Sequence, residues 1–214
     1  MKGKGEKMKI RAERVVPVLL GVYFIENVIC AVSPYDRTTW LAESLTAWIP
    51  LFFLLVCYFR GGRLSVAACC AMAPWFLLQT VGAHYSFELV PFDRVTEFFH
   101  FERNHFDRVC HFCVGGFAYP VIEVFERRKL IADRALTVFC VIMGVLGFAA
   151  VFEIIEWLYA VFSSPEAGAA FLGSQGDIWD AQKDMLADGL GACCASALYC
   201  LLNPCGGAEK RGEA

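Results

Sequence analysis

Charge is the scarcest property of this chain. Asp, Glu, Lys and Arg make up 19% of its 214 residues, against about 25% in a soluble globular protein. Neither sign dominates: 19 Lys and Arg face 22 Asp and Glu, for a formal net charge of -3. Without a basic surplus a nucleic-acid binder is excluded, because such proteins hold phosphates with clustered Lys and Arg. At 57% hydrophobic residues and a mean hydropathy of +0.50, a soluble enzyme and a disordered tail are excluded too. Internal repeats, low-complexity tracts and a separate soluble domain are also missing.

What the chain has instead is apolar runs. A helix needs about 20 apolar residues to cross about 30 Å of hydrocarbon. Six such segments are read at about 15–32, 40–59, 64–83, 107–125, 135–162 and 181–202. They predict an all-α fold, a six-helix transmembrane bundle forming one integral membrane domain over 1–214. Pro50 and Pro74 lie inside spans and are expected to kink them. Glu26 and Asn27 interrupt the first run, which favours a retained helix over a cleaved signal peptide.

Orientation follows from the basic residues. Fourteen Lys and Arg (Lys2 to Arg14, Arg60, Arg63, Arg127 to Arg134, Lys210 and Arg211) fall on one side. Five (Arg37, Arg94, Arg103, Arg108 and Lys183) fall on the other. Both termini are therefore expected in the cytoplasm of a bacterial inner membrane, with lipid as the surrounding partner.

Ionisable residues inside the spans are distributed unevenly. None lies between Trp48 and Phe59, Leu64 and Thr80, Thr137 and Phe152, or Gly189 and Leu202. Counted at 1.5 Å per residue from the cytoplasmic ends, Glu43, Asp107, His111, Glu153, Glu156, Asp184 and Asp188 all lie about 20–28 Å up. Such groups are costly in a bilayer and face a cavity, one another or a substrate. The pattern predicts an outward pocket rather than a continuous polar pore.

Spacing sharpens this expectation. Asp107 and His111 are i,i+4; Glu153 and Glu156 are i,i+3; Asp177, Asp180 and Asp184 form one stripe. All four histidines, His84, His100, His105 and His111, lie in this region. Histidine with carboxylate is the ligand set of zinc, iron or manganese. The candidate metal ligands are His105, Asp107, His111, Glu153 and Asp184. Glu156 or Asp180 is the candidate general base, and Arg108 the candidate for binding an anionic group. His84, Tyr85, Asp177 and Gln182 are placed around the pocket rim. Asp107, Glu153, Glu156, Asp180 and Asp184 outnumber Arg108 and Lys183, so either some carboxyls keep a proton or a divalent cation sits among them. The competing account is structural: Asp177 and Asp180 capping a helix, and Arg108 pairing with Glu156.

The segments GAHYSFELVPFD (Gly82–Asp93), RNHFDRVCHFCVGGFAYP (Arg103–Pro120), FEIIEW (Phe152–Trp157) and GSQGDIWDAQKDM (Gly173–Met185) resemble the YjdF-like bacterial inner membrane proteins. So does DRTTWLAE (Asp36–Glu43). The family pattern falls on His84 and Tyr85, on His105, Asp107, Arg108 and His111, on Glu153, Glu156 and Trp157, and on Asp177, Asp180, Gln182 and Asp184. Phe106 stands where the family has a tyrosine. The resemblance implies a multi-pass inner membrane protein and no established activity. Three functions stay open: a metal-dependent hydrolase or transferase acting on a lipid-like or amphipathic substrate at the outer leaflet; a cation-binding or transport protein; and a non-catalytic scaffold.

Overall fold

The computed structural model describes residues 2–162, 168 and 172–204, with residues 2–14 followed in backbone course alone. It is all-helical. In chain order the elements are α1 (Lys2–Cys30), α2 (Arg37–Phe59), α3 (Val66–Tyr85), α4 (Asp93–Phe99), α5 (Phe106–Val114), a 3-10 turn (Gly115–Phe117), α6 (Ala118–Arg128), α7 (Arg134–Phe162) and α8 (Asp180–Leu202). α5, the 3-10 turn and α6 form one rod. Five helices among the described residues are long and apolar enough to cross a membrane: α2, α3, the α5–α6 rod, α7 and α8. A shorter apolar stretch, Val15–Cys30, lies in α1.

Local chemistry sets the helix ends. The Asp36 carboxylate accepts the Thr39 N–H at 2.7 Å to start α2. Ser65 caps α3 through the Ala68 N–H at 3.1 Å, and Asp133 accepts the Leu136 N–H at 2.7 Å ahead of α7. α3 and α6 stop at left-handed residues, Ser86 and Lys129. Both prolines sit within unbroken helix. α4 went unforeseen, because seven residues of FDRVTEFF carry too little periodicity to read as a helix.

α8 is the hub. It packs against α5, the 3-10 turn, α6 and α7, while α3 packs against α1, α2 and α5. Between its buried aspartates and Tyr199, α8 buries a run of small residues, Gly189, Gly191, Ala192, Ala195 and Ser196, which let helix backbones approach closely. A close approach on both sides falls at the break in the rod. A Cβ on Gly115 would lie 2.2 Å from the Ala192 nitrogen, and one on Gly116 would lie 2.2 Å from the Ala71 carbonyl oxygen. The rod is thus wedged between α8 and α3 where two glycines in sequence leave room. α7 buries little and exposes Phe139, Phe148, Val151, Ile154, Ile155 and Trp157; such a face is stable against lipid, not water.

Polar residues gather at both ends of the bundle. At one end Glu126 pairs with Arg134 at 2.5 and 2.8 Å and accepts the Tyr199 hydroxyl at 2.9 Å. These ties clamp α6 to α7 and α8. The opposite end, where α5 and α8 begin and α7 finishes, holds the candidate site.

Candidate metal centre and its cavity

A helical rise of four residues per step puts Asp107 and His111 on one face of α5, and Asp180, Asp184 and Asp188 on one face of α8. The small-residue contact brings the two faces together. Ligand atoms of Asp107, His111 and Asp184 all lie within 4.8 Å of one another. Metal–ligand bonds of about 2.0–2.2 Å require only small side-chain movements to close these atoms on one ion. His111 Nδ1 lies 3.0 Å from Asp188 Oδ2, and Nε2 lies 3.7 Å from Asp107 Oδ1. With Nδ1 donating to the buried Asp188, a neutral His111 would present its Nε2 lone pair on the side of Asp107. This carboxylate–histidine arrangement is what orients imidazole ligands in metal sites. Asp184 Oδ1, Asp188 Oδ1 and Glu153 Oε1 are buried without hydrogen-bond partners, a costly condition for carboxylate oxygens that a cation would relieve.

Beside this group a second network closes the end of the bundle. Arg108 Nη2 reaches Asp177 Oδ2 at 2.7 Å and Asp180 Oδ1 at 3.0 Å, and its Nε lies 3.6 Å from Asp184 Oδ1. Arg103 pairs with Asp180 and donates to the Ser174 carbonyl at 2.9 Å. Lys183 binds Asp177 at 2.6 Å. Asn104 and Gln175 exchange two hydrogen bonds, at 3.1 and 3.0 Å. The segment before α8 is thereby stitched to the segment before α5.

The hydrogen bond from Lys183, then those from Arg108 and the Trp179 N–H, hold the Asp177 carboxyl well below the usual range. A carboxyl depressed in the folded state contributes stability above its ordinary titration near pH ~4, and that contribution is lost as pH falls further. Asp177→Asn is therefore expected to lower the melting temperature at pH 6 and to flatten its decline between pH 5 and 3. A parallel decline in both proteins would count against the tie.

Each residue singled out in the sequence has a definite place. Asp107, His111 and Asp184 come together. Glu153 lies within electrostatic reach of all three, and Glu156 lines the adjoining cavity. Asp177, Asp180 and Arg108 form the second network. His105 stands apart from the group: its Nδ1 lies 3.1 Å from Arg108 Nη1 and its ring packs edge-on against Phe101. Burial, Arg108 and Arg103 lower its pKa, so it accepts from Arg108 as neutral imidazole. His84 Nδ1 is 2.8 Å from the Cys30 carbonyl, and Tyr85 is exposed against it; neither lines the cavity. Gln182 is exposed.

The sequence places Glu43 and Asp188 at the depth of the pocket without a chemical role, and gives Gln79 and Arg103 no place in it. Asp188 continues the Asp180–Asp184 stripe by one turn, a signal that was present. Gln79 carries no charge to betray it. Its Nε2 donates to Glu43 Oε2 at 3.0 Å and Thr46 Oγ1 at 2.9 Å, and its Oε1 faces Cys110 Sγ at 3.5 Å. Cys110 and Cys113 are free thiols.

A cavity of about 710 Å³ adjoins the group. Glu43, Gln79, Asp107, His111, Glu156 and Asp188 line its polar end. Ile49, Val121, Phe125, Val145, Phe148 and Phe152 line the remainder, with α2 and α7 as walls and the α5–α6 rod as floor. Apolar walls with a few convergent polar groups are the usual form of a ligand site.

The family model described as a predicted membrane protein (DUF2238) matches residues 15–203. Over 163 residues the chain is 32% identical to inner membrane protein YjdF of Escherichia coli (strain K12), covering 75% of this chain and 77% of that protein. No solved structure matches it. With a family model spanning all its apolar helices and a relative of this identity, the chain is a multi-pass inner membrane protein and belongs to the DUF2238 family.

Proposed function

We propose that this is a metal-dependent hydrolase or transferase acting on a lipid-like substrate at the outer leaflet. The observation that carries the reading is the Asp188–His111 pair set against Asp107 and Asp184 at the polar end of a mostly apolar cavity. Asp107, His111 and Asp184 would hold a divalent cation (zinc, manganese or iron), with Glu153 beside it. Bound there, the ion would supply Lewis-acid polarisation of the substrate and a more acidic water. Glu156, at the cavity wall, is the general base. Arg108 and Asp180 are positioning residues, since Arg108 is committed to Asp177, Asp180 and Asp184, and Asp180 to Arg103 and Arg108.

In this reading the whole chain is one integral membrane domain of six spans, α1 included, with both termini in the cytoplasm. The basic-residue bias supports the orientation. A reporter active only in the cytoplasm and fused at Ala214 should work; silence there would overturn it. A cation carrier is the second reading, favoured by the unpartnered carboxylate oxygens. It fits less well, because the apolar inner lengths of α2, α3, α7 and α8 offer no matching site.

The activity is tested by incubating metal-loaded protein with a total bacterial lipid extract and following lipid species by mass spectrometry. A product that needs the metal and falls at least 100-fold with Glu156→Gln is expected. An extract unchanged by the metal-loaded protein would sink the enzyme reading.

A further inference from the structure

We infer that the cavity is a lateral groove for one hydrocarbon chain of a membrane lipid, with a head group that donates hydrogen bonds, a hydroxyl or an ammonium, seated at its carboxylate end. The inference rests on the proposed site and adds the substrate class. It begins with which wall is open. Along α2 the lining residues Leu45 and Ile49 are exposed, as are Phe148 and Ile155 on α7. A residue that both lines the cavity and faces the outside marks an opening. Here the outside is the apolar flank of a membrane protein, so the opening gives onto lipid rather than water.

Length comes next. The lining on α7 runs from Cys140 to Glu156, about 24 Å at 1.5 Å per residue. That exceeds half of a hydrocarbon core about 30 Å thick, so an extended lipid tail lies within it from the polar end past the bilayer centre. The polarity of the walls runs the same way. Carboxyls and a glutamine lie at one end, with aliphatic and aromatic side chains beyond. An amphiphile matches both ends at once, whereas a wholly apolar ligand would set hydrocarbon against the polar end.

The charge census selects the head group. Glu43, Asp107, His111, Glu156 and Asp188 line the polar end, and no Lys or Arg is among the described lining residues. The nearby cations are committed elsewhere: Arg103 to Asp180 and the Ser174 carbonyl, Arg108 to Asp177 and Asp180, and Lys183 to Asp177. Bare phosphate recognition uses Arg or Lys, and this wall has neither. With a cation held by Asp107, His111 and Asp184, Glu43 and Glu156 remain as acceptors at this end, and they favour a head that brings protons over one that adds negative charge.

Two glycines of α7 make the test clean. A Cβ on either Gly144 or Gly147 meets nothing within 4 Å. Gly144 lines the groove and Gly147 does not. Gly144→Trp therefore fills the groove without touching the ligands, and Gly147→Trp carries the same burden outside it.

Full-length protein in nanodiscs would be photolabelled with three single-chain lipids. Each carries a mid-chain diazirine on the same tail; the heads are a glycerol ester, a primary amine and a phosphate monoester. Expected are crosslinks to α2 and α7 from the glycerol or the amine probe, at least fivefold above the phosphate probe. They should be reduced at least fivefold by Gly144→Trp and unchanged by Gly147→Trp. The stronger of the two donor heads identifies the source. A dominant phosphate probe, equal loss in both tryptophan variants, or crosslinks spread over other faces would overturn the inference. Metal content measured on the same samples separates the two readings. Groove labelling without metal removes the metal site alone, and stoichiometric metal without groove labelling removes the lipid groove alone.

Discussion

Detergent-purified protein, resupplied with zinc, manganese and iron and then desalted, is expected to retain one divalent cation per chain. Asp107→Asn with Asp184→Asn is expected to retain none. The expectation follows from geometry: three ligand atoms within 4.8 Å, on helices held together by backbone contact, with carboxylate oxygens buried and unpartnered around them. Asp188→Asn makes the sharper test, because Asp188 contacts the imidazole rather than the ion. Loss of such a supporting carboxylate typically costs 10–100-fold in metal affinity. Asparagine can also offer its NH2 to His111 Nδ1, which favours the wrong tautomer. A titration read by elemental analysis should place Asp188→Asn between wild type and the double variant. Wild-type protein free of metal after resupply, or Asp188→Asn binding as tightly as wild type, would refute the centre as described.

The second large effect concerns the helix contact itself. Gly191→Ala would put a Cβ 1.9 Å from the Phe112 carbonyl oxygen, against backbone that cannot rotate away. α5 and α8 must then separate, and the ligands are divided between those two helices. Overpacking of this kind costs about 1–3 kcal/mol and at times more, so a melting temperature lower by several degrees and loss of the cation are expected together. Two other glycine substitutions, one on α8 and one on α7, calibrate the result. Gly189→Ala meets only the end of the Leu146 side chain, at 2.9 Å, and should be mild. Gly144→Ala meets nothing within 4 Å and should be neutral or gain up to about 1 kcal/mol from helix propensity. Thermal unfolding of the three variants in one detergent decides the matter. Gly191→Ala melting with wild type would show that the contact is not tight.

Much of the architecture was legible because hydropathy speaks loudly in membrane proteins. The spans read at 40–59, 135–162 and 181–202 sit within a few residues of α2, α7 and α8. Depth along the helices also brought Asp107, His111, Glu153, Glu156 and Asp184 to one level, and the structure places them at one end of the bundle. Depth, however, says nothing about rotation. That His111 turns toward Asp188 depends on how α5 is rolled against α8, whereas the contact of His105 with Arg108 is local to the start of α5. The roll is set by Gly115 and Gly191, and a glycine announces neither its neighbour nor its contact distance. The rim assignment of His84 rested on its nearness to the loop. Its imidazole instead joins α3 to the end of α1 through the Cys30 carbonyl. Gln79 was hidden for the opposite reason, since a neutral polar residue barely lowers the hydropathy of a span.

His111 and its partner Asp188 are 77 residues apart. At synthesis rates of about 5–20 residues per second, the first half of the site waits about 4–15 s for the second. During that interval α5 is made but Asp180, Asp184 and Asp188 are still untranslated, and Arg103 and Arg108 have not met their acids. The last helix therefore completes the assembly in time as well as in space. A chain that stops before Asp180 leaves Arg103 and Arg108 without the acids they pair with in the finished bundle.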